Sequence, residues 1–314
     1  MHDLVAIGEV MLRLSIPSPS RIETTRQLDV QVGGAEANVA AACARLGLLT
    51  AWISALPANA WGERIIRELT GHGVDCSRVR MIDDARVGVY FLEFGAPPRP
   101  IRVLYDRRDS AFARLTPESI EWEPVRQARL VHVTGITPAL GSGPRRLVEH
   151  ALREAAAVSF DLNYRSALWP PHAARAFAEA VLPVACHVFM GEAEARTVFG
   201  LSSSPEAIVG ALARLAPKAT IALLQGQDGS TVLAEGRLWY PSRAHAVQVV
   251  DPLGAGDAYA AGFLWATLEG RGPQEVVDAA AAVAALKCST WGDVALVDAR
   301  DVGDLLAGGS DIRR

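Results

Sequence analysis

Residues 251–257, Asp-Pro-Leu-Gly-Ala-Gly-Asp, have the types and spacing in this chain that are best suited to chemistry. Two glycines let the backbone approach a ligand closely, and the apolar run that follows predicts a helix. The first N–H groups of a helix have no intrahelical partners and point outward with the positive end of the helix dipole. The helix start at this glycine turn therefore predicts an anion site, most naturally for phosphate.

Asp257 lies inside this predicted anion site, although a carboxylate repels a phosphate. General-base catalysis would explain its presence, because Asp257 would then take the proton from a hydroxyl that attacks a phosphoryl group. The β-branched pair Val249 and Val250 predicts the end of a strand just before the turn. We therefore expect a strand, a glycine turn and a helix to meet at Asp257.

A second glycine turn occupies residues 33–38, Gly-Gly-Ala-Glu-Ala-Asn, and leads into a predicted helix that ends at Gly47. The pair Gly33 and Gly34 on its own is explained by a tight turn. Glu36 and Asn38 favour a binding turn, because polar side chains beside a buried helix start are costly.

Residues 161–165, Asp-Leu-Asn-Tyr-Arg, follow a predicted strand, where α/β proteins place their sites. The guanidinium of Arg165 is suited to a carboxylate or to phosphates, and pairing with a neighbouring acid at the surface is the alternative. Tyr105 and Arg107 follow a predicted hairpin and could close over a polar ligand, although a single Tyr in a strand is often a packing residue.

Two weaker signals concern a nucleotide and a metal ion. Gly226 and Gly229 follow a predicted strand and would let the backbone approach a nucleotide. Glu192 and Glu194 open a predicted helix, where acids favour the dipole and are also suited to hydrated Mg²⁺. We interpret Glu192 as a helix cap. The seven histidines lack metal-ligand spacing, so no zinc site is expected.

The composition favours a small-molecule role. The chain has 314 residues, 31 basic and 35 acidic, with a net charge of −4. This balance, without a long basic run, argues against nucleic acid or an anionic membrane as the main partner. Four scattered cysteines and the lack of a secretory signal predict a cytoplasmic protein with reduced thiols. Charged residues interrupt the apolar stretches too often for a transmembrane segment.

The remaining pattern alternates strands and helices, which predicts a doubly wound, mostly parallel sheet with its ligand at the carboxyl ends of the strands. Two segments differ, at about 9–32 and 86–108, where alternating apolar residues predict a small sheet over the site that would act as a lid. We expect Pro17 and Pro19 to end its first strand, a turn at 95–98, and a loose tail at 308–314. The core strands are predicted at 4–7, 51–56, 130–134, 158–162, 187–190 and 220–224, and helices at 144–156, 172–182, 192–199 and 205–215.

Together these residues resemble the ribokinase-like (PfkB) carbohydrate kinases. Residues 33–40 are similar to the N-terminal signature of that family, and residues 251–257 to its C-terminal signature, Asp-x-x-Gly-Ala-Gly-Asp. The resemblance covers essentially the whole chain. It implies a single domain, residues 1–314, with a three-layer α/β/α sandwich, a β-sheet lid that often forms a dimer interface, and ATP with Mg²⁺ as cofactors. It also implies that Asp257 is the catalytic base and that Gly254, Ala255 and Gly256 form the anion hole.

Within the family, residues 33–36 and 161–169 look most like 2-keto-3-deoxygluconate kinases, which implies phosphorylation of that sugar acid to its 6-phosphate. Three departures from the family pattern occur: Gly191 replaces an Asn, Pro-Leu follows Asp251, and alanines fill 279–285, where relatives place an Asn near adenine. The resemblance implies substrate contacts from Gly33, Gly34, Asn38, Tyr90, Tyr105, Arg107, Arg165, Asp251 and Asp293, nucleotide contacts from Asn163, Gly226, Gly229, Gly254 and Gly256, and Mg²⁺ organised by Glu194.

Two other hypotheses remain open from the sequence. The signatures do not select the acceptor, so a neutral sugar such as fructose or ribose, or a nucleoside, is the enzymatic alternative. A non-catalytic sugar or nucleotide sensor is the alternative from another class, and Asp257 argues against it because a binding module needs no base beside a phosphate.

Overall fold

The computed structural model describes residues 1–16, 20–95 and 98–309, and the elements below lie within them. The β-strands are β1 Leu4–Ile7, β2 Met11–Ile16, β3 Asp29–Gly33, β4 Thr50–Pro57, β5 Val79–Ile82, β6 Gly88–Glu93, β7 Arg102–Asp106, β8 Leu130–Thr134, β9 Val158–Asp161, β10 His187–Gly191, β11 Thr220–Leu224, β12 Ser230–Ala234 and β13 Arg237–Trp239. The α-helices are α1 Ala35–Arg45, α2 Ala60–Gly71, α3 Glu123–Gln127, α4 Ile136–Ala139, α5 Ser142–Glu154, α6 Pro171–Val181, α7 Glu192–Phe199, α8 Pro205–Leu215, α9 Ala255–Leu268, α10 Pro273–Cys288 and α11 Ala299–Leu306.

The central sheet has the order β13-β12-β11-β10-β9-β8-β1-β4-β5. Its strands from β11 to β5 pair in parallel, whereas β12 and β13 are antiparallel at one edge. The mostly parallel sheet predicted from the βα alternation is confirmed. The edge pair β12 and β13 was not predicted, because both strands are short and follow a glycine turn rather than a helix.

Helices cover both faces of this sheet, which gives three layers. Alternate residues of one strand enter opposite cores: Leu4 packs with helices α1, α9 and α10, and Val5 packs with helices α5, α6 and α8. A period of two explains this division, because successive side chains of a strand point to opposite faces. The parallel strands end at one edge of the sheet, which is where α7 and α9 begin.

A separate four-stranded sheet has the order β3-β2-β6-β7. Strands β2 and β6 pair in parallel, and the outer pairs are antiparallel. Its strands lie in the two segments expected to form a small sheet, at about 9–32 and 86–108. The observed strand β3 begins only at Asp29, so it is shorter than the strand expected through 21–32. Residues 21–25 form a turn closed on the carbonyl of Arg21 instead. The lid function of this sheet stays a prediction.

The strand expected at Val249 and Val250 is absent. Val249 is half exposed, and the amide of Val250 donates to the carbonyl of Cys288 at the end of α10. β-Branched residues favour extended backbone, but a strand also needs a neighbouring strand, and this segment lies against a helix end. Pro17 and Pro19, two residues of the 95–98 turn, and the tail beyond 309 lie outside the described residues.

Helices long and apolar enough to cross a membrane do not occur in the described part of the chain. All four cysteines are described, and none forms a disulfide.

Candidate active site

The glycine turn before α9 lies at the carboxyl edge of the central sheet, beside the end of β11. Gly254 caps α9 with φ of 79°, in the left-handed region that favours glycine. A side chain there would also collide with the carbonyl oxygen of Asp293. The amide of Ala255 donates to the carbonyl of Pro252 at 3.3 Å, so this predicted anion-hole donor has a partner within the turn.

Asp257 lies in the first turn of α9, with 8% of its surface exposed. Its Oδ2 accepts a hydrogen bond from Nδ2 of Asn38 at 2.7 Å, and its Oδ1 accepts one from Nδ2 of Asn163 at 3.3 Å. Burial raises the pKa of Asp257 from 3.8 to about 6, against the lowering effects of the Asn38 hydrogen bond and the Arg165 charge. Asp257 is therefore ionised at neutral pH and able to accept a proton.

Asn163 links Asp257 to a second buried acid, Asp161, at the end of β9. Its Nδ2 lies 3.1 Å from Oδ2 of Asp161, and its backbone is in the left-handed region with φ of 41°. Its Oδ1 is buried and has no hydrogen-bond partner among the described residues. Burial and the charges of Glu194 and Asp257 raise the pKa of Asp161 well above its ordinary range. Three acids thus share this edge of the sheet.

The side chain of Glu194 caps the start of α7. Its carboxylate accepts the amides of Gly191 at 2.8 Å and Tyr164 at 2.7 Å. Burial raises its pKa, and Nη1 of Arg165 lies 4.0 Å away. Gly191 occupies the position where the family pattern has Asn, and its amide holds the acid there. Glu194 therefore has a structural role in this chain, and the predicted Mg²⁺ role stays a prediction.

Arg165 and Arg107 differ in exposure and in the number of hydrogen bonds that they donate to other protein groups. The side chain of Arg165 is 41% exposed, and its nearest acceptor is the carbonyl of Tyr164 at 3.1 Å. Arg107 is buried, and its Nε and Nη2 both donate to Oε2 of Glu9, the Nε at 2.7 Å. Ser110 donates to the other oxygen of Glu9. Arg165 is thus the guanidinium that is more open to a ligand.

The predicted sugar-contacting aromatics lie on the inner face of the small sheet. Tyr90 on β6 and Tyr105 on β7 face each other, with ring centroids 5.9 Å apart. The hydroxyl of Tyr90 donates to Oδ2 of Asp293 at 2.6 Å, and a side chain at Gly33 would meet both groups. Gly34 is held against the backbone of Glu9. Gly33, Tyr90 and Asp293 are therefore brought together.

Asp251 is fully buried, and protein groups take up its carboxylate. Oδ1 accepts the amide of Leu253 at 3.1 Å, whereas Oδ2 accepts the amide of Gly292 at 3.1 Å and Nη2 of Arg13 at 2.5 Å. Asp251 thus closes the glycine turn from inside. Its predicted substrate contact stays a prediction, and in this structure its carboxylate is not open to a ligand.

The two glycines predicted to contact the nucleotide follow a different strand from this cluster. Gly226 and Gly229 follow β11 with φ of 62° and 90°, which suits glycine. Leu224, the last residue of β11, lies beside the 251–257 turn, because a Cβ at Gly256 would lie 3.9 Å from its Cδ1.

Sequence reasoning missed Arg13 and the partner role of Glu9. Arg13 interrupts an apolar strand between Leu12 and Leu14, and that signal was available in the sequence. A charged residue inside such a strand is expected to be paired when it is buried. Glu9 follows the first core strand directly, at the edge where parallel strands place their sites.

Comparisons with known proteins show which family the chain is similar to. The family model described as pfkB family carbohydrate kinase matches residues 1–300. A 2-dehydro-3-deoxygalactonokinase of Haloferax volcanii is 38% identical over 98% of this chain and 97% of its own length. A 2-dehydro-3-deoxygluconokinase of Thermoproteus tenax is 33% identical over 98% and 94%.

Solved structures give the same result. The crystal structure of 2-dehydro-3-deoxygluconokinase from Thermotoga maritima has a TM-score of 0.93 with this chain at 32% identity, covering 98% of this chain and 100% of that one. The match therefore extends over the fold, the two glycine turns and the strand ends between them. The family expected from the two signatures is confirmed, and the chain belongs to the pfkB family of carbohydrate kinases.

Proposed function

We propose that this chain catalyses ATP-dependent phosphorylation of 2-keto-3-deoxygluconate to its 6-phosphate. The observation that carries the proposal is a buried Asp257 at the start of α9, whose carboxylate is held by Asn38 and Asn163, together with a half-exposed Arg165. The first is a base beside an anion site, and the second is a cation open to a substrate carboxylate. The names of the relatives at 38% and 33% identity support a 2-keto-3-deoxy sugar acid.

Asp257 supplies proton transfer in this proposal. The sugar hydroxyl oxygen attacks the γ-phosphorus of ATP, the bond from that phosphorus to the bridging oxygen breaks, and ADP leaves with the electron pair. The hydroxyl proton passes to Asp257. Asn38 and Asn163 hold its two carboxylate oxygens, so its orientation is fixed before substrate binds. The start of α9 stabilises negative charge on the phosphoryl oxygens.

The acids at the sheet edge fit a role with Mg²⁺ that arrives on the nucleotide. Groups of three or more His, Cys, Asp and Glu residues arranged to hold a metal alone do not occur in the described part of the chain. Mg²⁺ in kinases is held by one or two carboxylates together with substrate phosphates, and it neutralises charge on those phosphates. Asp161 and Glu194 are the acids that would serve.

We assign recognition of the substrate carboxylate to Arg165 more than to Arg107. Two nitrogens of Arg107 donate hydrogen bonds to Glu9. Among the described residues, Arg165 donates only to the backbone carbonyl of Tyr164, and its nearest acid, Glu194, lies 4.0 Å away. A charge-assisted hydrogen bond contributes about 1.5–3 kcal/mol, which corresponds to roughly 10- to 100-fold in kcat/KM. Replacing Arg165 should therefore cost more than replacing Arg107 when the substrate carries a carboxylate.

The test compares Arg165→Gln with Arg107→Gln on a sugar acid and on a neutral sugar. We expect kcat/KM for the sugar acid to fall by about 10- to 100-fold in Arg165→Gln, with a much smaller change for the neutral sugar. Arg175→Gln is the matched control, because Arg175 is an exposed arginine that pairs with Glu179 on α6. An equal loss for both sugars would show that Arg165 contacts the phosphates, and a loss confined to the KM for ATP would contradict the carboxylate assignment.

We also propose that the chain is one kinase domain in which the small sheet acts as a lid and as an interface between two copies. Its outer face carries Leu14, Phe91 and Leu104 opposite one another on adjacent strands, and Leu104 is half exposed. Leu14 and Phe91 are partly buried, so Leu104 is the exposed member of this row, and an exposed apolar side chain favours association with an apolar surface. Sedimentation of Leu104→Asp should give a smaller species than the unaltered protein, and an unchanged species would contradict the interface.

A further inference from the structure

Arg13 on β2 is an arginine whose guanidinium is completely enclosed by protein. Its Nε donates to Oγ of Ser15 at 2.8 Å, its Nη2 to Oδ2 of Asp251 at 2.5 Å, and its Nη1 to Oδ1 of Asp293. Its relative exposure is 0%, so it has no surface to offer a ligand. One side chain of the small sheet thus joins two acids that lie about 240 and 280 positions further along the chain.

Those two acids hold the two halves of the candidate site. Asp251 closes the glycine turn through the amide of Leu253, and that turn carries the catalytic base three residues beyond Gly254. Asp293 accepts the Tyr90 hydroxyl on its other oxygen, and its carbonyl lies against Gly254. A displacement of either carboxylate would therefore be transmitted to the sugar side and to the base side together.

Arg13 also balances charge behind the base. Its positive charge is buried with Asp251 and Asp293, and a second buried cation, Lys287 on α10, donates to the backbone carbonyl of Asp251 at 2.8 Å. The charged and polar groups that act on Asp257 come from α1, from the end of β9 and the segment after it, and from the loop before α11. They are Asn38, Asp161, Asn163, Arg165 and Asp293. The negative charge of Asp293 raises the pKa of Asp257, and Arg13 is the ion partner that offsets this charge.

We propose that Arg13 is a positioning residue of the phosphoryl transfer, which holds Asp293 and Asp251 so that the sugar-contacting face of the small sheet and the glycine turn keep their mutual geometry. Arg13 itself touches neither sugar nor nucleotide. This inference rests on the proposed function only for the identity of the sugar used in the assays. The contacts that support a positioning role for Arg13 all lie within the protein.

Three variants separate geometry from charge. Arg13→Lys keeps the positive charge but cannot span two carboxylates. Arg13→Met removes the positive charge and the hydrogen bonds to both carboxylates. The double variant Arg13→Met with Asp293→Asn removes one positive and one negative charge. We expect kcat/KM for the sugar to fall by about 100-fold in all three, because displacements of about 1 Å at a reacting centre have that effect. We call the fall of kcat/KM at low pH its acidic limb, which lies near pH 6 in the unaltered protein. This limb should move to higher pH in Arg13→Met, because the charge of Asp293 is then no longer offset. It should stay near pH 6 in the other two variants.

The control is Arg129→Met, which removes a different arginine that joins distant segments. Arg129 donates to Asp3 at 2.8 Å and to the carbonyl of Leu268 at 2.7 Å, at the opposite edge of the sheet. It should lower thermal stability without moving the acidic limb. If Arg13→Met behaves in the same way, Arg13 is structural and the proposal is overturned.

Two further outcomes are informative. Where Arg13→Met does not fold, Arg13→Lys and the double variant decide the question, and kcat/KM within about threefold of the unaltered protein in Arg13→Lys would overturn the proposal. Where the unaltered protein prefers a sugar other than 2-keto-3-deoxygluconate, the proposed substrate fails. The variants are then assayed with the preferred sugar, and the role of Arg13 is tested independently.

Discussion

Replacing Asp257 by Asn should abolish most turnover and at the same time stabilise the fold. Burial raises the pKa of Asp257 from 3.8 to about 6, so the folded protein binds a proton more tightly than the unfolded chain does. Between about pH 4 and pH 6 the folded state therefore carries the extra proton, and the free energy of unfolding falls as pH rises through this range. Above about pH 6 the full cost of the buried charge is present.

The size of this cost follows from the shift. A shift of about 2 units at about 1.4 kcal/mol per unit gives about 3 kcal/mol, and Asp257 is buried enough for this conversion to hold as an upper limit. The Asn variant cannot ionise, so it should gain up to about 3 kcal/mol at neutral pH and nothing near pH 4. For a chain of this size the gain corresponds to a rise in Tm of roughly 5 °C.

The assay combines thermal unfolding at both pH values with ADP formation. We expect kcat to fall by about 10²- to 10⁴-fold, the range that general-base catalysis supplies. In the unaltered protein, kcat/KM should drop about tenfold for each pH unit below about 6. Asp83→Asn, at an exposed turn carboxylate, is the matched control and should change neither quantity. Turnover within tenfold of normal, or equal stability gains at the two pH values, would refute the reasoning.

Two other substitutions, Gly254→Ala and Asn38→Ala, test the turn and the base, and Gly210→Ala is the control for the first. Gly254→Ala should lower kcat at least tenfold and destabilise the fold by about 1–3 kcal/mol, because its φ of 79° and the adjacent Asp293 carbonyl both oppose a side chain. Gly210→Ala, inside α8 with open space around it, should instead stabilise the fold by about 0.5–1 kcal/mol without changing activity. Calorimetry together with assays of ADP formation distinguishes these two variants. Asn38→Ala removes a hydrogen bond that lowers the pKa of Asp257, so the acidic limb should move to higher pH, and an unmoved limb would contradict the contact.

The parallel core was predictable because its signal is local. Strand and helix lengths, glycine stops and apolar runs place most elements within a few residues, as for β8, β11 and α9. The strand predicted at residues 249–250 was wrong because a β-branched pair favours extended backbone but does not supply a neighbouring strand. The edge strands β12 and β13 were missed for a related reason, since three to five residues after a turn give little periodicity to detect.

The candidate site was predictable as a set of residues but not as a network. Asp257, Asn38 and Asn163 do meet, because the carboxyl ends of parallel strands and the first turns of helices share one edge. The pairing of Arg107 with Glu9, and of Arg13 with two distant acids, depends on tertiary contacts across 98 to 280 positions. Spacing along the sequence carries no information about such contacts, although a charged residue in an apolar strand indicates that a partner exists.

The substrate preference of the purified protein tests the central claim most directly. The measurement is kcat/KM from ATP-dependent ADP formation, with a panel containing 2-keto-3-deoxygluconate, 2-keto-3-deoxygalactonate, fructose, ribose and a nucleoside. We expect the 2-keto-3-deoxy acids to exceed the neutral acceptors by at least about 10-fold, the lower end of what one charge-assisted contact supplies. A neutral sugar or nucleoside used better than both acids would contradict a sugar acid kinase.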